Sequence, residues 1–70
     1  MPKMLSEYRI LYSIVDNLTG EIIAENCKET VHAKSNVIAL AELQFKVARE
    51  NPERHCMIVV HVLETFWHEL

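Results

Sequence analysis

The residues able to do chemistry in this chain are few, and their spacing is wrong for most sites. Four histidines (His32, His55, His61, His68) and two cysteines (Cys27, Cys56) in 70 residues raise the question of a metal. A structural zinc centre takes ligands in close pairs such as CxxC or HxxxH, because a short spacing fixes half the tetrahedron locally. Neither pattern occurs. On a strand His55 and Cys56 point to opposite faces, whereas His55 and His61 share a face at a separation of about 20 Å. His61 and His68 differ in parity if the strand continues that far. Cys27 and Cys56 read as small buried apolar side chains. The expectation is no metal and no cofactor.

Nucleophilic catalysis needs a Cys or Ser beside a base that is itself oriented. Cys56 has histidines for candidate bases, and Asp16 is the sole aspartate. A catalytic thiolate is favoured at a helix N-terminus or exposed turn, and Cys56 opens an apolar run that reads as a buried strand. Glu21, Glu25 and Glu29 are the candidates for paired carboxylates, but they fall on the polar part of a strand, where a solvated face explains them. With Gly20 the only glycine, no phosphate-cradling loop exists. The chain is expected not to be an enzyme.

A net charge of −3, with seven basic residues scattered along the chain, leaves no electrostatic footprint for nucleic acid. Tyr8 and Tyr12 share a strand face and are suited to stacking bases, but the third strand offers Met57, Val59 and Leu63 where bases would stack. Both tyrosines are therefore assigned to the core under a helix, and nucleic-acid binding through the sheet face stands as the alternative function.

The elements follow from periodicity. Residues 1–6 read as a short tail, and Tyr8 to Val15 alternates as a strand. Asp16-Asn17-Leu18-Thr19-Gly20 is a turn whose glycine takes the positive φ that closes a hairpin. Glu21 to Ala33 returns antiparallel, and its polar second half suggests an edge. Ser35 caps a helix that runs to Glu50, where Pro52 stops it. On that helix Leu43, Val47, Leu40, Val37, Ala48, Ala41, Phe45 and Ile38 sweep an arc of about 220°, twice what one sheet covers. His55 to Leu63 (HCMIVVHVL) is apolar on both faces except at His61. Residues 64–70 either prolong this strand or form a last short helix.

A right-handed crossover through the helix gives a single α+β domain over 1–70: ββαβ, a three-stranded antiparallel sheet in order 2-1-3 with one helix on one face. The most apolar strand then lies at an edge, where something must cover it. Seventy residues give a small stability margin, and self-association commonly supplements it. The expectation is a homodimer formed by edge pairing around Cys56 to Leu63, by packing of the excess helix surface, or by both. The expected interface residues are Ile38, Gln44, Phe45, Met57, Val59, His61, Leu63 and Trp67. Gln44 falls inside the apolar arc and needs a hydrogen-bond partner or an interface. With regular alternation His61 shares a face with Met57, Val59, Leu63 and Trp67, either as a satisfied core group or as a pH-sensitive member of a partner surface.

The start carries charge and Pro2 without the apolar core of a secretory leader, and two cysteines make no disulfide scaffold. The longest apolar run, Cys56 to Val60, is far short of a membrane span. A cytoplasmic setting is expected. By elimination the function is that of a small, self-associating protein-protein interaction module with a protein partner, of the kind found among accessory, regulatory or inhibitor products of mobile elements that bind a host macromolecule.

Overall fold

The computed structural model describes residues 4–69, with side chains described over 6–66. Four elements follow in order: β1 (Met4–Asp16), β2 (Ile22–Ala33), α1 (Asn36–Glu50) and β3 (Cys56–Glu69). The strands form one antiparallel sheet in the order β2-β1-β3. The expected ββαβ architecture and strand order hold, and β2 is an edge. Two spans differ. The stretch read as a tail already belongs to β1 from Met4, and residues 64–69 prolong β3 as strand, which settles the choice between strand and helix.

Local chemistry accounts for each boundary. Asp16 Oδ1 accepts from the backbone N–H of Leu18 at 2.8 Å and of Thr19 at 3.2 Å, while Gly20, at φ 77°, returns its N–H to the Asp16 carbonyl at 2.8 Å. These bonds close the hairpin, as expected of an Asx turn. Ser35 Oγ accepts from Ile38 N–H at 3.2 Å and caps α1. At the other end the Asn51 side chain donates to the Val47 carbonyl at 2.9 Å, and Pro52 follows.

Helix and sheet pack along a narrow line. Ser6, Tyr8, Ile10, Tyr12 and Asp16 are the buried side of β1 facing α1, and Ala39, Leu43 and Val47 are the buried residues of the helix. Tyr8 and Tyr12 are thus core residues. Ala39 is fully buried although it lies outside the expected arc. Its methyl group lets the helix approach β2 and β3, where a larger side chain would hold it off. Of that arc only Leu43 and Val47 are buried and Leu40 half-buried, whereas Val37, Ile38, Ala41, Phe45 and Ala48 remain exposed.

β1 and β3 are longer than the spans Tyr8 to Val15 and His55 to Leu63 expected for them, whereas β2 keeps nearly the span expected. A helix of 15 residues measures about 22 Å, whereas the 13 residues of β1 run about 43 Å. The molecule is accordingly 46 Å long and only 20 × 15 Å across. One helix covers about half of one face.

Candidate interaction surface

The most informative side chain is Gln44. Its Nε2 donates to the Cys56 carbonyl at 2.8 Å, and its Oε1 accepts from the Ile58 N–H at 3.0 Å. Cys56 and Ile58 pair with Asp16 and Ile14 of β1 on their inner side, so the groups that Gln44 binds point away from the sheet. The amide stands where the next strand would be, and plugs the first turn of β3's outer edge. The expected hydrogen-bond partner of Gln44 is therefore backbone of its own chain.

β3 carries one extra residue. Tyr12 pairs with Val60 and Leu11 with Val62, which leaves His61 as a bulge. Consequently Met57, Val59, His61 and Val62 share the face away from the helix, and Leu63 turns to the helix side, opposite Ile10, where it is half-buried against the core. Regular alternation had placed Leu63 with His61, and the bulge separates them. The Trp67 backbone pairs with Ser6, and its side chain lies outside the described residues. Ile38 and Phe45 are exposed on the helix. Six of the eight expected interface residues thus fall on three surfaces: Ile38 and Phe45 on the helix's outer flank, Gln44 at the β3 edge, and Met57, Val59 and His61 on the open sheet face; Leu63 is withdrawn, and the Trp67 side chain lies outside the described residues.

His61 Nε2 lies 2.8 Å from Ser13 Oγ, a contact between residues 48 apart that the sequence does not signal. A serine beside a histidine is the start of a nucleophilic pair, but here two further requirements fail. Ser13 is buried in the middle of the central strand, whose backbone is engaged with a neighbour on each side. No carboxylate among the described residues bonds His61, so the imidazole has no orienting acid. The bond satisfies a buried hydroxyl.

Elsewhere on the open face, Glu7 takes Arg9 at 2.6 Å and His32 at 3.4 Å, and the Arg9 guanidinium lies 4.2 Å from the centre of the Phe66 ring. Arg9 thereby occupies a face of the ring on which a base would stack. Between the strands a shallow trough of about 640 Å³ is lined by Arg9, Leu11, Lys28, Thr30, Val62 and Glu64, a mixed lining with both charge signs.

Two of the three candidate carboxylates have structural partners: Glu29 holds Lys46 at 2.7 Å across the helix-sheet seam, and Glu21 holds Arg54 at 3.1 Å, while Glu25 is exposed on β2. The hydrogen bond that Lys46 Nζ donates to the Glu29 carboxylate holds the ammonium above its ordinary pKa. Burial, and after it the electrostatic influence of Cys27 and Glu29, pushes the Tyr12 phenol above its ordinary pKa. Two backbone N–H groups lower the Asp16 carboxyl. Cys27 sits opposite Tyr12 and Cys56 opposite Asp16, on different sides of β1, and both are free thiols. Among the described residues no three His, Cys, Asp or Glu converge as a metal site, and no helix is long and apolar enough to cross a membrane.

What remains conspicuous is uncovered apolar area. Met57, Val59, Val60, Val62 and Phe66 of β3 are each 36 to 45 % exposed, and Phe45 on the helix is 68 % exposed. Comparison with family models, with curated proteins and with solved structures finds no match, so this surface is interpreted from its own chemistry.

Proposed function

We propose that this protein is a small non-enzymatic interaction module that associates with itself and acts by docking on another protein. One observation carries the reading: four large apolar side chains on the open face of a single edge strand, Met57, Val59, Val62 and Phe66, remain partly in water. Monomeric proteins scatter such residues singly, and contiguous groups of them mark binding surfaces. The polar groups that might have suggested catalysis are engaged in stabilising the fold, as with Ser13 and His61, Glu29 and Lys46, or Asp16 and its turn. A partner that binds this surface gains from removing apolar area from water, at roughly 25 cal/mol per Å² before the costs of association.

Light scattering on the purified chain tests the self-association. The expected mass is twice 8.2 kDa at micromolar concentration, and a mass of one chain overturns the reading. Titration with single- and double-stranded oligonucleotides tests the docking class. No salt-dependent binding is expected, whereas an affinity that falls steeply as salt rises would move the protein to nucleic-acid binding.

A further inference from the structure

We infer that the second copy joins edge to edge along β3, antiparallel about a two-fold axis at Thr65, making one continuous six-stranded sheet. This rests on the self-association proposed above and names its interface.

The inference starts from backbone directions. Gln44 shows that Cys56 and Ile58 turn their N–H and C=O groups outward. Pairing with β1 is regular from Cys56 to Val60, so alternation turns Val60 outward as well. β1 itself continues without a bulge past His61, and every second residue along it repeats the same pairing type. Hence Leu63, opposite Ile10, and Thr65, opposite Tyr8, also present their backbone groups outward. The plugged stretch ends at Ile58, and beyond it no strand among the described residues pairs with this edge.

The two edges of the sheet differ in how they meet water. β2 is interrupted by two register shifts, holds Asn26 at φ 54°, and carries Glu25 and Lys28, which are the devices that keep an edge from recruiting strands. β3 carries Glu64 and Glu69 but no lysine, arginine or proline from Cys56 to Glu69, and none of its described residues lies at positive φ. Its single bulge lies toward β1 and leaves the outer side of residues 62–69 regular. The unprotected edge is the one that pairs.

Self-pairing also fixes the register. With the axis at Thr65, outward residues meet outward residues (Thr65 with Thr65, Leu63 with the backbone of Trp67), and pairing runs from His61 to Glu69, stopping short of the Gln44 plug. An axis at Glu64 would oppose two carboxylates. An axis at Leu63 would run the second copy's end into Ile58.

The test combines light scattering with amide hydrogen exchange on the full chain. Thr65→Pro removes an outward N–H and no bond to β1, so it is expected to halve the mass from two chains to one while circular dichroism stays that of the folded sheet. Val59→Glu, on the open face, is expected to leave the dimer intact. In the wild type the amides of Leu63 and Thr65 should exchange at least about tenfold more slowly as the dimer fills. A wild-type dimer with fast exchange at these amides overturns the edge-pairing inference while self-association stands, as does a dimer that survives Thr65→Pro or is broken by Val59→Glu. A wild type of one chain mass overturns both. Should Thr65→Pro fail to fold, the wild-type exchange decides.

Discussion

Gln44 shows at the scale of one residue how much a single amide can determine. It satisfies one acceptor and one donor of an edge strand from a helix 12 and 14 residues away in sequence. Gln44→Leu keeps the bulk but leaves both strand groups unpaired in a partly covered position, so it should cost about 1 to 3 kcal/mol. In urea the unfolding midpoint would then fall at an unchanged slope. Ser13 and His61 give a second case. His61→Ala strips the buried hydroxyl of its partner and should cost about 1 kcal/mol, read in the same assay. Asp16 adds a pH dependence. Its carboxyl titrates below the ordinary value because Leu18 and Thr19 donate to it, so its contribution is present above the unfolded value near 3.9 and is lost as pH falls through the lower folded value. Stability of the wild type should therefore drop as pH falls below about 3.9, and Asp16→Asn, which still accepts hydrogen bonds but carries no titrating group, should flatten that part of the curve. The need of Gln44 for a partner was legible from its position in an apolar arc. The identity of that partner was not, since backbone edges leave no mark in a side-chain pattern.

At the scale of elements, period and capping carried the reading and bulges defeated it. Ser35, Pro52 and the Asp16 to Gly20 turn each declare themselves by residue type, and Ser35→Ala should lower stability by about 1 kcal/mol. The bulges declare nothing. Asn26, at φ 54°, lies in one of β2's irregularities, and it tolerates the left-handed region because its short side chain is not branched at Cβ. Asn26→Val should cost about 1 to 2 kcal/mol while Asn26→Gly is neutral or better, again by chemical denaturation. His61 as an extra residue reverses the facing of all that follows in β3. That single insertion explains why Leu63 is withdrawn under the helix while Val62 stands in water.

For the whole molecule the governing mismatch is length. A helix of about 22 Å lies on strands of about 43 Å, and the described core contains eight buried apolar residues along that helix. A 70-residue domain has of order 4 to 10 kcal/mol of stability. Leu43→Ala, at the centre of the helix contact, should remove about 2 to 5 of it and lower the melting temperature read by circular dichroism. If association contributes, the melting temperature of the wild type rises with protein concentration, and that of a variant held as single chains does not.

Between Tyr8 and Leu63, with the start of β1 and the end of β3 left open, the amino-acid order by itself determined which segments are strand, turn and helix, their antiparallel order, and the excess of apolar side chains. These depend on residue type, on periods of 2 and 3.6, and on the handedness of a crossover, all of which are local or topological. Only the tertiary structure decided which apolar residues are covered, where the bulges fall and which edge is plugged. Those outcomes depend on hydrogen-bond register and on how far a short helix reaches along a long sheet, and both are set by packing between segments distant in the chain.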